Sequence, residues 1–272
     1  MEPKELQELV ELAKEVRRLT IDEIGHLGVG HIGGSMSVVD ALAVVYHRHL
    51  RFDAKQPNLP HRDRFVLSKG HAGPALYAML AQKGFFPKDW LHTLNKGGTN
   101  LPSHCDRTKT PGIDMSTGSL GQGISAACGI ALGQRLDGKG ARTYCIIGDG
   151  ESDEGLVWEA AMMAAHYKLD NLIAFTDFNK MQIDGMTSEI MDQGALLDKW
   201  VAFGWNAVQI DGHNFEALER AVVEAKAHRG QPSMIVMDTI KGKGCSFCEG
   251  LVTSHNMPIT AEQVQQALAA LA

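Results

Sequence analysis

Apolar runs alternate with segments of helical periodicity along this chain. The short apolar runs, each of which predicts a buried strand, are 65–67, 144–147, 172–178, 207–210 and 234–238. The segments whose apolar residues recur at helical spacing, and which predict helices, are 4–24, 38–46, 74–80, 126–130, 154–168, 193–203, 215–228 and 260–271. Strands that alternate regularly with helices are typical of a parallel sheet. We therefore expect an α/β fold, a doubly wound parallel sheet with helices on both faces.

Composition limits the class of protein. The chain has 272 residues, of which 44% are hydrophobic and 21% are charged, as in ordinary soluble globular proteins. No internal repeat, low-complexity segment or linker divides it, so we expect a single domain over 1–272. The net charge of −6 argues against a nucleic-acid partner. No apolar stretch reaches the roughly 20 residues of a membrane span, which argues against a membrane partner.

The cysteines and the start of the chain bear on its compartment. Five scattered cysteines, an odd number, and a charged start without the apolar core of a signal peptide predict a cytoplasmic location. Cys245 and Cys248 form a C-x-x-C pair, a spacing found in redox pairs and in half of a zinc site. Zinc needs two further ligands at matching spacing, and no second pair exists. We expect no function for this pair.

A glycine turn joins a predicted strand to a predicted helix at Gly148-Asp149-Gly150. A strand, a glycine turn and a helix in this order present backbone N–H groups to a phosphate. A carboxylate at such a turn would repel a phosphate unless it holds a divalent cation that the phosphates also bind. We therefore predict Asp149 as a metal ligand.

A second candidate ligand follows the next predicted strand, which ends at Asn179. The carboxyl ends of neighbouring parallel strands lie side by side, where open α/β sheets bind ligands. Asn179 then offers its side-chain oxygen, and the following turn offers a backbone carbonyl, which we assign to Met181. Such oxygen ligands, completed by a diphosphate and water, suit Mg²⁺ or Ca²⁺.

Several motifs resemble those of one enzyme family. Gly148-Asp149-Gly150 followed by Asn179 is similar to the diphosphate motif of thiamine diphosphate enzymes. The segments that resemble transketolases specifically are 30–36, 62–72, 116–123, 148–155, 168–172, 182–185 and 239–244. The resemblance covers nearly the whole chain, but only the diphosphate-binding part of a transketolase. It implies a thiamine-diphosphate-binding fold and a ketol-transferring enzyme that uses thiamine diphosphate and Mg²⁺, for which Ca²⁺ can substitute.

The resemblance also implies catalytic residues. His31, His104 and His255 match active-site histidines, which carry protons or bind sugar hydroxyls, and we expect their pKa values near neutrality to suit both directions of transfer. His104 lies between Ser103 and Cys105, where the family has Gly and Pro, and His255 precedes an Asn where the family has Gly.

The remaining implied residues bind the cofactor or link to a second active site. The implied cofactor contacts are His71, Gly118, Ser119, Leu120, Gly150, Asn179, Lys241 and His255, and the implied metal ligands are Asp149, Asn179 and Met181. Glu154 matches a family glutamate at the dimer interface that links the two active sites. Its sequence position equally suits a first-turn carboxylate that interacts with the helix dipole.

The resemblance implies that a partner completes the enzyme. In a single-chain transketolase a pyrimidine-binding domain follows, which supplies an activating glutamate and most sugar-phosphate contacts, and then a C-terminal domain. We expect a separate polypeptide, the C-terminal transketolase subunit, to supply both, in an α₂β₂ assembly. The implied reaction moves a two-carbon ketol unit from a ketose to an aldose, and the sequence leaves the sugars open.

Two other interpretations remain open from the sequence. The chain could be half of another split thiamine diphosphate enzyme, such as a deoxyxylulose-phosphate synthase or a 2-oxo acid dehydrogenase. Product analysis with pyruvate against ketose phosphates separates these from a transketolase. The chain could also be a non-catalytic regulatory partner, which loss of Mg²⁺-dependent cofactor binding would indicate.

Overall fold

The computed structural model describes all residues, 1–272. Its strands are β1 Val29–Gly30, β2 Arg64–Leu67, β3 Thr143–Gly148, β4 Leu172–Phe178, β5 Asn206–Asp211, β6 Ser233–Asp238 and β7 Met257–Pro258. Its α-helices are α1 Pro3–Leu27, α2 Ile32–Met36, α3 Val39–Val44, α4 Gly73–Gln82, α5 Gln122–Asp137, α6 Gly155–His166, α7 Thr187–Ile190, α8 Leu196–Ala202, α9 Phe215–Ala227 and α10 Ala261–Ala270. None of these helices is both long and apolar enough to cross a membrane.

Five strands form one parallel sheet in the order β2-β3-β4-β6-β5. At its carboxyl edge Gly148 of β3 lies opposite Asp177 of β4, which lies opposite Met237 of β6. The segments that follow these three strands therefore leave the sheet side by side. They carry Asp149, Asn179 and Lys241, as expected from the topology of open α/β sheets.

The two faces of the sheet have separate apolar cores, because successive side chains of a strand point to opposite faces. Ile146 and Phe175 belong to a core of 48 buried residues that the sheet shares with α1 to α4, α9 and α10. Cys145 and Ala174 belong to a core of 19 buried residues shared with α5, α6 and α8. The predicted α/β class, with a parallel sheet covered on both faces, is confirmed.

Helix ends differ from the sequence prediction by a few residues. The first helix continues past residue 24 to Leu27 and ends where Gly28 adopts a left-handed conformation, with φ of 84°. The segment 38–46 divides into α3 and a π-helical turn, Val45–His49. The segment 193–203 shortens to Leu196–Ala202. None of these changes moves a predicted site residue off its loop.

A two-stranded antiparallel ribbon, β1 with β7, has no counterpart among the predicted elements. Val29 pairs with Pro258 and Gly30 with Met257, which ties the segment before α2 to the segment before α10. The ribbon sets His31 and His255 side by side, with ring centroids 5.4 Å apart. Strands of two residues carry no periodic signal, so the sequence could not predict this contact.

Candidate active site

A cavity of about 360 Å³ opens at the carboxyl ends of β3 and β4. The predicted site residues that line it are His31, His71, His104, Gly118, Leu120, Asp149, Gly150, Asn179, Met181, Lys241 and His255. Ser119 and Glu154 are outside the lining. The fold thus gathers residues from six separate connections between helices and strands into one place. Their individual roles stay predictions.

Asp149 sits at the floor of the cavity, where it is 2% exposed. Its carboxylate accepts the backbone N–H groups of Gly150, at 2.8 Å, and of Lys180. Burial, reinforced by the nearby charge of Asp177, raises the pKa of the Asp149 carboxyl to about 7. A divalent cation in contact with this carboxylate would supply the missing positive charge and favour its ionised form.

Glu151 holds the glycine turn in shape, a role that the sequence did not reveal. One of its carboxylate oxygens accepts the N–H of Gly148 at 3.0 Å. The other accepts the N–H of Gly121 at 2.9 Å and the hydroxyl of Ser68 at 2.5 Å. A buried carboxylate with these donors fixes the turn between β3 and the helical segment against the start of α5.

Asn179 and Met181 stand beside Asp149 across the strand ends. The amide oxygen of Asn179 accepts the N–H of Met181 at 3.1 Å, and its amide nitrogen donates to Asp177 at 2.9 Å. This bonding orients the Asn179 oxygen, which keeps a second lone pair for a ligand. No group of three or more His, Cys, Asp or Glu side chains here could hold a metal alone. One carboxylate with neutral oxygens instead fits Mg²⁺ that also binds phosphates.

Two buried lysines give the cavity an anion-binding side. Lys69 is 1% exposed and pairs with Asp177, which also accepts the hydroxyls of Ser37 and Thr239. Lys241 is also 1% exposed, and its pKa is lowered to about 8 by burial and by the charge of Lys69. An anion between these cations would relieve the repulsion and raise the pKa of Lys241 again. A diphosphate fits this requirement.

Sequence reasoning missed Lys69 and Gln182, although both fall inside segments that carry the family resemblance. Lys69 stands between Ser68 and Gly70, two positions before the more conspicuous His71. Gln182 lines the cavity, and its backbone carbonyl accepts from Lys241 at 3.4 Å. The position of each residue inside one of these motifs was the signal that could have identified it as a site residue.

Four imidazoles cluster next to the two lysines. The ring of His31 lies 5.4 Å from that of His104, 5.4 Å from that of His255 and 5.7 Å from that of His71. Burial lowers the pKa of His31 to about 4, and burial together with nearby Lys241 lowers that of His255 to about 3. Burial also lowers the pKa values of His71 and His104.

The expectation that these histidines have pKa values near neutrality is therefore wrong for the free chain. The resemblance implied that these histidines share one site, but the sequence could not reveal that burial and two neighbouring ammonium groups would lower their pKa values. Each added positive charge would be desolvated and repelled. The cluster is uncharged at pH 7 and offers neutral donors and acceptors.

Glycines bring the backbone close to the cavity. A Cβ atom on Gly34 would lie 2.7 Å from Nε2 of His71, and one on Gly70 would lie 2.8 Å from the backbone nitrogen of Gly118. Gly118 itself has φ of 142°, which L side chains rarely adopt. The predicted role of this loop, contact with the cofactor through its backbone, fits a cradle that side chains would fill.

Glu154 and the Cys245–Cys248 pair, which also stand out in the sequence, do not line the cavity. Glu154 precedes the first residue of α6 and is exposed, so it does not reach the cavity within one chain. Cys245 and Cys248 are fully buried, and the pKa of the Cys248 thiol is raised by its neighbour Cys245 and by burial. Two thiols supply half of the four ligands of a structural zinc site.

Comparison with known proteins identifies the family. Residues 9–272 match the family model described as "Transketolase, thiamine diphosphate binding domain". The chain is 58% identical over 259 residues to the 6-deoxy-6-sulfo-D-fructose transketolase subunit SqwG of Clostridium sp. (strain MSTE9), covering 95% of this chain and 94% of that protein. It is 38% identical over 262 residues to an apulose-4-phosphate transketolase subunit of Phocaeicola vulgatus, covering 96% and 93% respectively.

Solved structures agree with this match. The transketolase from Leishmania mexicana superposes with a TM-score of 0.91 at 33% identity, and the alignment covers 97% of this chain and 41% of that one. The transketolase from Campylobacter jejuni gives a TM-score of 0.90 at 30% identity, with 100% and 43% covered. The chain thus spans about two fifths of these structures. It belongs to the transketolase family and comprises that family's thiamine diphosphate binding domain.

Proposed function

We propose that this chain is the diphosphate-binding subunit of a two-chain transketolase. The observation that carries the proposal is the single cavity in which Asp149 and Asn179 face two buried lysines and four neutral histidines. The complete enzyme moves a two-carbon ketol unit from a ketose to an aldose. Three relatives that match the chain over nearly their whole length are named transketolase subunits.

In this proposal the chain holds the polar end of the cofactor. Asp149, the side-chain oxygen of Asn179 and the carbonyl of Met181 bind Mg²⁺. Lys69, Lys241 and His71 face the diphosphate, and the N–H groups after Gly148 contribute further donors. Thiamine diphosphate, when bound, supplies a nucleophilic carbon and an electron sink for cleaving the bond next to a ketose carbonyl.

In this proposal the neutral histidines bind the sugar hydroxyls and transfer protons. His31, His104 and His255 can each donate one hydrogen bond to a hydroxyl or accept one from it, because each ring keeps one N–H and one free nitrogen. A diphosphate bound beside them would raise their pKa values toward neutrality. They would then take a proton from a hydroxyl of the donor ketose when its C2–C3 bond breaks. They would give a proton to the carbonyl oxygen of the acceptor aldose when the new bond forms.

Exposed apolar side chains around the mouth of the cavity, here called the apolar rim, favour the proposal of a partner subunit. Leu120, Ile183 and Ile190 line the cavity and are 38%, 65% and 47% exposed, and Met191 beside them is 58% exposed. Large apolar side chains grouped around a ligand cavity are typical of a protein–protein contact. We propose that the pyrimidine-binding subunit covers this rim in an α₂β₂ assembly, and that Glu154 contacts another subunit there.

The sugar follows from the relatives. The 58% identical protein is named for 6-deoxy-6-sulfo-D-fructose, whereas the protein named for apulose 4-phosphate is 38% identical. We propose a sulfonated ketose as the donor. Removal of its first two carbons by cleavage between C2 and C3 leaves a four-carbon aldose that carries the sulfonate on its last carbon.

The test is ketol transfer by this chain alone and mixed with its co-purifying partner, with Mg²⁺ and thiamine diphosphate. Donors are 6-deoxy-6-sulfo-D-fructose, fructose 6-phosphate and xylulose 5-phosphate, and ribose 5-phosphate is the acceptor. Activity only in the mixture, with the sulfonated donor preferred, is the expected result. Activity with phosphorylated donors alone would overturn the donor assignment. A mixture that binds no cofactor would indicate a regulatory protein instead.

A further inference from the structure

We infer that His213 is a positioning residue that orients the Lys241 loop, residues 239–244, through the backbone amide of Ile240. The inference rests on the proposed function, because it takes Lys241 as a ligand of the cofactor diphosphate. His213 follows β5 and lies outside the cavity lining, so it touches neither the cofactor nor the sugar.

The two nitrogens of the His213 ring have fixed and different partners. Nε2 lies 2.9 Å from the backbone nitrogen of Ile240 and accepts its N–H. Nδ1 lies 2.7 Å from a carboxylate oxygen of Asp40 and therefore donates to it. An imidazole that accepts at one nitrogen and donates at the other is the neutral tautomer with its proton on Nδ1.

Asp40 is itself immobilised inside the protein. It is 3% exposed, and Arg17 of α1 donates two hydrogen bonds to it, at 2.8 and 2.7 Å. Bidentate pairs of this kind fix direction as well as distance. Arg17 and Asp40 thereby hold the His213 ring in the one rotamer that meets Ile240.

The same network reaches the Lys241 loop a second time. Nε of Arg17 donates to the backbone carbonyl of Lys243 at 3.0 Å. A Cβ atom on Gly244 would lie 2.9 Å from Cδ of Arg17, and Gly244 has φ of 80°, so the loop is pressed against the arginine. His213 and Arg17 therefore hold the loop on the two sides of Lys241.

Lys241 needs this support because its own charge is unpaired in the cavity. Its ammonium group makes one long contact, 3.4 Å, to the carbonyl of Gln182, and it is repelled by Lys69. The loop backbone also binds the segment next to His31, since Gly242 donates to the carbonyl of Gly33 at 2.9 Å. A shift of Ile240 would move both the lysine and this contact.

Two substitutions separate the two bonds of His213. His213→Asn keeps a donor near the Nδ1 position for Asp40 but loses the acceptor for Ile240. His213→Gln places an acceptor near the Nε2 position but loses the donor to Asp40. His49→Asn is the matched control, because His49 is a buried histidine paired with Glu219 at 2.9 Å, away from the Lys241 loop.

The first measurement is deuterium exchange of the Ile240 amide in the chain without cofactor. The second is the affinity of the assembled complex for thiamine diphosphate with Mg²⁺. His213→Asn and His213→Ala should speed exchange at Ile240 and weaken affinity about tenfold, the low end of what loss of a supporting contact costs at ligand sites. Turnover at saturating cofactor should change less than affinity. His213→Gln should restore most of both, and His49→Asn should alter neither.

The inference is overturned if His213→Asn leaves exchange and affinity at their original values, or if His213→Gln is as weak as His213→Asn. A role confined to stability gives the opposite ranking, with His213→Asn the better substitute because it keeps Asp40 paired. If the unaltered complex binds no thiamine diphosphate, the proposed function has failed, and exchange at Ile240 alone decides whether His213 holds the loop.

Discussion

At the scale of single residues, the cavity combines groups that each lack a counter-charge. Asp149 is buried without a paired cation, and Lys241 is buried without a paired anion. Four histidines are kept neutral beside them. Binding Mg²⁺ and a diphosphate together would neutralise both kinds of charge at once. The polar residues are thus arranged for ligands, at a cost to the stability of the free chain.

The low pKa values of His31 and His255 predict a pH-dependent stability. In the unfolded chain both imidazoles bind a proton near pH 6.5, whereas in the folded chain this requires pH values of about 4 and 3. As pH falls through this window, the unfolded state takes up protons that the folded state does not. The free energy of unfolding should therefore fall between pH 6.5 and 4.

Urea unfolding of the cofactor-free chain at several pH values measures this slope. Replacing His31 and His255 together with Asn should make the slope shallower in the same window, since each imidazole removes up to one linked proton. His61→Asn is the control, because His61 is exposed and does not line the cavity. An unchanged slope in the double variant would contradict the assignment of low pKa values.

Asp149 is predicted to be indispensable for the metal. Asp149→Asn removes the only carboxylate that we assign as a ligand, so Mg²⁺-dependent binding of thiamine diphosphate to the assembled complex should weaken by more than about 100-fold. Asp184→Asn removes an exposed carboxylate from the lining of the same cavity and should change the affinity little. Titration calorimetry compares the two. Equal affinities would place the metal elsewhere.

At the scale of elements, α5 shows how closely the loops are fitted to one another. A Cβ atom on Gly123, in its first turn, would lie 2.4 Å from the hydroxyl of Ser68 and 2.5 Å from its Cα. Ser68 also donates to Glu151, which holds the glycine turn. The start of α5 therefore packs directly against Ser68, which in turn supports the Gly148-Asp149-Gly150 turn through Glu151.

Gly123→Ala should destabilise the chain by about 1–3 kcal/mol, because the methyl group overlaps atoms that include backbone. Gly129→Ala in the same helix is the matched control, since nothing lies within 4 Å of its added methyl group. Alanine favours a helix over glycine by up to about 1 kcal/mol, so the control should stabilise the chain. Chemical denaturation of the free chain measures both changes. Similar signs for the two variants would contradict the close fit at Ser68.

The same elements explain how far sequence can lead. The five strands of the parallel sheet could be predicted from short apolar runs. Asp149 and Asn179 each follow such a strand, so both could be placed at the carboxyl edge of the sheet from the sequence alone. The β1–β7 ribbon could not be predicted, and with it the approach of His255 to His31. Ion pairs such as Lys69 with Asp177 lie 108 positions apart and depend on packing, as do the shifted pKa values. Sequence thus locates candidate groups, and the fold sets their charges.

At the scale of the whole molecule, apolar side chains stay exposed at the carboxyl edge of the sheet, around the mouth of the cavity. Both faces are packed with helices, yet Ile183, Ile190 and Met191 stay exposed around the cavity mouth. This chain matches about two fifths of the length of the solved transketolases. The partner subunit that we propose would cover these exposed side chains.

Ile183→Lys should weaken association with the partner subunit without lowering the stability of the free chain. Ile183 is 65% exposed, so a lysine there loses little packing within the chain, but it places a desolvated charge in the proposed contact. Val223→Lys is the control, since Val223 is 49% exposed on α9, on the outer side of the larger core. Analytical ultracentrifugation of each variant mixed with the partner gives the association constant.

Loss of association by more than about tenfold for Ile183→Lys, with no change for Val223→Lys, would place the partner over the cavity. Ketol transfer should then fall at low subunit concentration and recover at high concentration, because the catalytic groups themselves are intact. Transfer that stays low at every concentration would mean that Ile183 acts inside the active site. Unchanged association in the Ile183→Lys variant would indicate that the partner binds elsewhere.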